Sequence, residues 1–283
     1  MKMLVFGHGY SAGALTPLLT ARGWDVIGTT RDDPGRVAEA GASPLIWPGA
    51  EDALRDAIPR ADAILVSTAP TDAGDPVLAA FRDDLARARP RWLGYLSTTG
   101  VYGDRQGGWV DEDSVLDGSG PRGQARIRAE GAWQDLACAH DLPLHIFRLA
   151  GIYGPGRGPF QKVRDGTARR IIKPGQVFSR IHVEDIAQVL MASIEAPAPI
   201  GIYNVCDDDP APPQDVIAHA ATLLGLPLPP AVPFDQAQMS PMARSFYGDS
   251  KRVRNERIKR DLGVTLRYPD YRSGLAALLA QGA

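Results

Sequence analysis

Cysteine is scarce: Cys138 and Cys206 are the only two in 283 residues. That excludes a disulfide framework and a thiolate metal cluster, and both read as small hydrophobes in a reducing compartment. Five histidines form no ligand-spaced group. Charge of one sign is lacking too, since 31 basic and 33 acidic residues leave a formal net charge of −2. Nothing there draws the chain to nucleic acid or to an anionic membrane surface. Long apolar runs are absent: the first breaks at Gly7, short of the roughly 7–15 residues of an export signal core, and none approaches the roughly 18 needed to span a bilayer. The expectation is a cytoplasmic protein that binds no nucleic acid and no membrane. Internal repeats and low-complexity tails are lacking as well.

What remains is a chain of ordinary globular composition, 44% hydrophobic and 23% charged, of a length for one large domain or a nucleotide-binding domain with a smaller partner. Short apolar runs at 3–6, 25–29, 44–47, 61–67, 91–97 and 143–148 alternate with helical patterns, notably 75–89 and 124–140. That alternation predicts βαβ units and a doubly wound parallel α/β sheet of Rossmann type. Beyond Arg148 the texture changes as Pro and Gly thicken in YGPGRGP, DDDPAPPQ and LPLPPAVP. Residues 1–150, with a returning segment at about 181–206, are expected to form the nucleotide-binding domain. Residues 151–180 and 207–283 are expected to form a smaller substrate-binding region, with helices at 185–195 and 214–224 and a strand at 202–205.

The first strand runs directly into Gly7-His8-Gly9-Tyr10-Ser11-Ala12-Gly13 and then a helix. Glycine there permits a tight turn and close backbone approach to a pyrophosphate, which the free N–H groups and positive end of the helix dipole attract. Gly7, Gly9, Tyr10, Ser11, Ala12 and Gly13 are therefore candidate cofactor contacts. Pro17 fits such a helix badly, at a cost of about 3 kcal/mol unless the helix bends. The second strand ends Gly28-Thr29-Thr30-Arg31, with no acid before Asp32. Thr30, Arg31 and Arg36 suit the 2′-phosphate of NADP, whereas Asp32 or Asp33 could hold the free hydroxyl of NAD. Ser67, Thr68 and Ala69, after the fourth strand, should border the same cofactor.

Four further segments follow in order: STTGVYG at 97–103, RLAGIYGPG at 148–156, RIHVEDIA at 180–187 and GIYNVCDDDP at 201–210. With the glycine loop they resemble the extended short-chain dehydrogenase/reductase family, the NAD-dependent epimerase/dehydratase group, over nearly the whole chain. The resemblance implies that Thr98 hydrogen-bonds the reacting oxygen, a role its hydroxyl suits as both donor and acceptor. Thr99 and Gly100 stand where sugar-nucleotide 4,6-dehydratases carry Asp-Glu, which argues against elimination of that type. It also implies a homodimer through the helices at 75–89 and 124–140.

The family's proton donor is the Tyr of YxxxK, with its Lys on the nicotinamide ribose. Here those places fall on Arg122 and Arg126, with Glu130 at a family acidic position, and no tyrosine lies between Tyr102 and Tyr153. The chain resembles an atypical bacterial branch with a changed active site. Arg126 can still hold a ribose or phosphate; Arg122 cannot give up a proton. Tyr102 is a candidate donor in place of the missing phenol, beside water or the substrate itself. Tyr247-Gly248-Asp249-Ser250-Lys251 matches YxxxK by letter but lies about 150 residues beyond Thr98. It is expected to contact substrate or to start a helix, with Asp249 or Ser250 as N-cap of a solvated amphipathic run to Arg260. The expectation is an NADP-dependent oxidoreductase or epimerase-like enzyme acting on a sugar, a nucleotide-sugar or a related small carbonyl or hydroxyl compound; the alternative is a non-catalytic NADP-binding redox sensor or scaffold.

Overall fold

The computed structural model describes residues 1–118, 120–195 and 200–282. Seven parallel strands form the central sheet: β1 (Lys2–Phe6), β2 (Asp25–Thr30), β3 (Ser43–Ile46), β4 (Ala63–Val66), β5 (Trp92–Thr98), β6 (Leu144–Leu149) and β7 (Gly201–Val205). Their order is β7-β6-β5-β4-β1-β2-β3, with the reversal between β1 and β4 that opens a crevice at the strands' carboxyl ends. Helices cover both faces, so the central strands must be apolar throughout: all four residues of β4 are buried.

On one face α1 (Tyr10–Thr20) and α7 (Val183–Glu195) lay Leu15, Leu19, Ile186 and Leu190 onto Met3, Val5 and Leu65. On the other, α4 (Pro76–Arg87) and α5 (Gly120–His140) lay Val77, Phe81, Leu85, Trp133 and Leu136 onto Phe6, Val66 and Tyr95. Each fully buried Leu or Phe contributes about 1.5–3 kcal/mol relative to exposure. Two short helices, α2 (Pro34–Glu39) and α3 (Glu51–Ala57), link the strands of the β3 edge.

The remainder of the chain builds a third core from Tyr153, Phe160, Ala220, Tyr271 and Leu275. It comes from α6 (Phe160–Arg164), α8 (Pro213–Leu223) and α11 (Tyr271–Ala280); α9 (Pro241–Phe246) buries no residue, and α10 (Glu256–Leu262) packs Ile258 and Leu262 into the first core with α7. Three short parallel pairs stitch this region: Gly151–Tyr153 with Arg180–His182, Arg170–Ile172 with Ala231–Pro233, and Trp109–Val110 with Arg252–Val253.

Three local expectations are corrected. The helix α1 runs unbroken through Pro17, at the cost of the hydrogen bond that its missing N–H would give the Gly13 carbonyl. The run after Tyr247 does not begin a helix at Asp249 or Ser250, because 252–253 is strand and Asn255 precedes α10. Nor is that run solvated at its start, since Lys251 and Val253 are buried.

Candidate active site

The glycine loop is built by contacts to β2 and to the end of β4. Gly7 has φ +81°, and a Cβ there would stand 3.0 Å from Thr68 Cγ2; glycine alone fits this turn. The Gly7 amide donates to Thr29 Oγ1 (2.8 Å) and the His8 amide to the Thr29 carbonyl (2.7 Å). The His8 ring fills the space that a side chain at Gly28 would need. Gly9 precedes α1 without a side-chain cap, leaving the first-turn N–H groups to a ligand. Ala12, not Gly13, is the small residue packed on the sheet: it is buried, while a Cβ on Gly13 would meet nothing. Thr68 Oγ1 is buried without a hydrogen-bond partner. A turn closed to a Cβ at Gly7, beside an unsatisfied hydroxyl and an uncapped helix start, fits a nicotinamide dinucleotide.

At the far end of the loop, Thr30 Oγ1 accepts from the Asp33 amide (3.3 Å). Asp33 in turn caps α2 through the Arg36 amide (3.0 Å) and faces the Arg36 guanidinium at 3.8 Å. Arg36 leans back to the His8 carbonyl (3.5 Å), whereas Arg31 is exposed. Tyr10 spans the crevice, its hydroxyl donating to the Pro155 carbonyl (2.9 Å).

Thr98 closes β5. Its Oγ1 accepts from the Gly100 amide (3.1 Å) within the turn Thr99–Tyr102. Among the described residues nothing takes that hydroxyl's own hydrogen, so it can donate to a ligand. Arg126, on α5, donates through one nitrogen to Tyr95 Oη (2.9 Å), the Leu96 carbonyl (2.9 Å) and the Thr68 carbonyl (3.4 Å). Its guanidinium thus bridges the ends of β4 and β5 between the cradle and Thr98, with a second nitrogen to spare. Arg122 is exposed. The first turns of α5 approach closely, since a Cβ on Gly123 would lie 3.1 Å from the Gly100 carbonyl.

Tyr102 is not an open proton donor. It is fully buried, gives its hydrogen to Asn204 Oδ1 (2.7 Å), and accepts from Arg148 (2.9 Å). Burial pushes its phenol up to about 12. The expectation that it stands in for the missing tyrosine is therefore corrected: its hydroxyl is used up in the core. Behind it, Arg148 forms a two-nitrogen pair with Glu130, both almost wholly buried, and Ser97 donates to the same carboxylate. Glu112 accepts from the Asn204 amide (2.8 Å). Of this network only Glu130 and Tyr102 were singled out from sequence; Arg148 and Asn204 sit inside the RLAG and YNV motifs, where a polar residue amid apolar strand letters is the signal. His182 and Tyr153 are buried against each other and against Tyr268, and serve the core.

The letters of YxxxK at 247–251 do come to the site, by another route. Lys251, buried, donates to the Gly103 carbonyl (2.8 Å) and Asp249 (3.1 Å). Ser250 receives the Arg105 and Gly107 amides on its carbonyl, gives its own amide to Asp104, and gives its hydroxyl to the Gly175 carbonyl. The segment is a strap across the loop that follows Thr98. Elsewhere a cleft of about 450 Å³ opens between α4 and α5, lined by Arg82, Arg87, Arg89 and His140 among others. Among the described residues there is no metal-holding cluster and no helix long and apolar enough to cross a membrane.

No family model matches the chain. It is 30% identical over 95% of its length to the Escherichia coli K12 protein YeeZ, covering 97% of that protein. It is 31% identical over 182 residues to a Streptomyces 3-diazoavenalumate denitrifying reductase; that match spans 58% of the relative's length. Among solved structures, a conserved protein of unknown function from Silicibacter pomeroyi DSS superposes with a TM-score of 0.92 at 58% identity, over 99% of both chains. The UDP-glucuronic acid 4-epimerase of Bacillus cereus, crystallised with UDP-glucuronic acid and NAD, gives 0.82 at 16% identity, over 99% and 98% of the two chains; that likeness is one of fold. The seven-stranded parallel sheet and the glycine cradle at the end of its first strand define a protein of the Rossmann class. The chain belongs to the NAD-dependent epimerase/dehydratase family.

Proposed function

We propose that the chain is an NADP-preferring oxidoreductase or epimerase-like enzyme of the cytoplasm, acting on a sugar, a nucleotide-sugar or a related small carbonyl or hydroxyl compound. The observation that carries this reading is Thr98, its free hydroxyl hydrogen at the end of β5, next to an Arg126 guanidinium tied to Thr68 at the cradle. When bound, the nicotinamide would donate or accept hydride. Thr98 would donate to the substrate oxygen as negative charge develops there, a contact that strengthens toward the transition state. Arg126 would hold the ribose through its spare nitrogen, in the place of the family lysine. With Tyr102 sealed in the core, the proton would come from water or from the substrate.

Preference for NADP is argued from the second strand's end. Asp33 is engaged as the cap of α2 and faces Arg36, so it is poorly placed to accept a ribose hydroxyl, while Arg36 and exposed Arg31 remain to meet a phosphate. Calorimetric titration tests this: NADPH should bind more tightly than NADH, and Arg31→Ala or Arg36→Ala should narrow the gap; equal affinities in the native chain refute the preference. For catalysis, a panel of carbonyl compounds followed by loss of reduced-nicotinamide absorbance should give turnover that Thr98→Val abolishes and Tyr247→Phe largely spares. The second reading, a non-catalytic redox sensor or scaffold, draws on the exposed Arg122 and the buried Tyr102; dinucleotide binding with no turnover across that panel favours it. A homodimer would use the outer faces of α4 and α5.

A further inference from the structure

Just beyond the Thr98 loop three half-buried rings gather. Tyr247 lies edge-on to Phe178, centroids 5.5 Å apart at 73°, and 5.3 Å from Phe234. Three cations border them: Arg244 stands 4.9 Å and Lys173 5.3 Å from the Phe234 centroid, and Arg180 5.9 Å from that of Phe178. Their hydrogen bonds go to backbone carbonyls, those of Tyr247, Ala237, Phe178 and Ala211. Among the described residues none of the three forms an ion pair within 4.0 Å. Asp104 acts on Lys173, and Asp207, its carboxyl pushed well up by burial, acts on Arg180, both from farther off, so the cations outnumber the acids that face them.

Two polar groups here lack the partners that buried polar atoms normally have. Gln176 Oε1 and both carboxylate oxygens of Asp207 are unsatisfied, on side chains no more than 2% exposed. The cluster is also fastened to the reacting end. Tyr247 begins the strap whose Ser250 and Lys251 hold Asp104 and Gly103, and Lys173 grips the Tyr247 carbonyl.

We propose that this cluster is the substrate subsite of the reaction described above, and that it takes a planar conjugated ring bearing a single carboxylate in preference to a nucleotide-sugar. This rests on the reading of the site as an NADP-dependent enzyme. Rigid rings offer a π-face to a flat ligand at little entropic cost. Cations in surplus over their acids, with Lys173 and Arg180 half-buried, attract a carboxylate, whereas a diphosphate would bring two negative charges toward Asp104 and Asp207. The unpaired Gln176 carbonyl would accept from a hydroxyl on the ring.

Calorimetry on the NADP-loaded protein tests the assignment with trans-cinnamate as probe, against cyclohexanepropionate (charged, not planar), 3-phenylpropanol (aromatic, uncharged) and UDP. Cinnamate should bind, each control more weakly, and Tyr247→Leu and Arg244→Ala should each weaken it about tenfold. Tyr247→Leu keeps an apolar side chain at the position, and an unchanged melting temperature shows that the fold survives. Cinnamate affinity unmoved by both substitutions, or UDP binding where cinnamate gives no heat, overturns the proposal. NADPH is titrated into the same preparations before they are loaded: its normal binding beside a silent cinnamate sinks this subsite alone, and its absence sinks the enzyme reading instead.

Discussion

The His145 ring sits on β6 in a ladder of aromatic side chains on one sheet face, 6.0 Å from Trp92, 6.4 Å from Phe147 and 6.3 Å from Tyr203. Its polar contact is Ser193 at 3.5 Å, a hydroxyl that already accepts from Trp92 at 2.9 Å. Only 4% of the residue is exposed, and burial pulls the imidazole down from 6.5 to about 4. In the unfolded chain the ring takes a proton as pH falls through about 6.5; in the folded protein it stays neutral until about 4. Between those values the unfolded state binds more protons, so stability falls with pH and levels off below about 4. The full gap corresponds to about 3 kcal/mol, of which about 2 kcal/mol is lost by pH 5. Replacing the ring by a side chain that cannot titrate, His145→Gln, removes the dependence. Urea unfolding at pH 7.5 and pH 5.0 gives the difference for each protein. The native chain should lose about 2 kcal/mol more than the variant over that interval. Lost stacking changes both variant values alike, and buried acids such as Glu112 and Asp185, raised by burial, contribute equally to both proteins and cancel. Parallel pH profiles would refute the argument.

Three further outcomes are expected. Arg148→Met strands the Glu130 carboxylate in the core and should cost about 3–5 kcal/mol, with Glu130→Gln added to it recovering part, both read from denaturant midpoints. Gly7→Ala, forced to φ +81° and against Thr68, should cost about 1–2 kcal/mol of stability and abolish NADPH binding by calorimetry; retained affinity would remove Gly7 from the cradle. Lys251→Met should speed hydrogen exchange of the Gly103–Gly107 amides about tenfold while leaving that of β1 and β4 unchanged, because it cuts the tether at the Gly103 carbonyl.

The sheet was legible because its strands are buried on both faces: AILV at Ala63–Val66 and LHIFRL at Leu144–Leu149 stand out against helical stretches. The cradle was legible because glycine at Gly7 answers a backbone requirement that the letters themselves display. The part outside the central sheet was not, since strands of two or three residues, such as Trp109–Val110 and Arg252–Val253, are too short for any period to appear. The helix Tyr271–Ala280 hides its start because Asp270 is answered by Ser273 where a longer acid or amide commonly stands. Partnerships such as Arg148 with Glu130 depend on two elements meeting, and no local pattern encodes that. The letters of YxxxK at 247–251 misled on the helix start for the same reason: Lys251 acts through a carbonyl 148 positions away in the chain.

That strap fixes an order of events in biosynthesis. A growing chain that has passed Val205 holds all seven strands and the whole dinucleotide cradle, yet the loop behind Thr98 still lacks the tethers that only 250–251 bring. A polypeptide stopped before Ser250 would therefore hold the complete cradle while the loop behind Thr98 stayed loose.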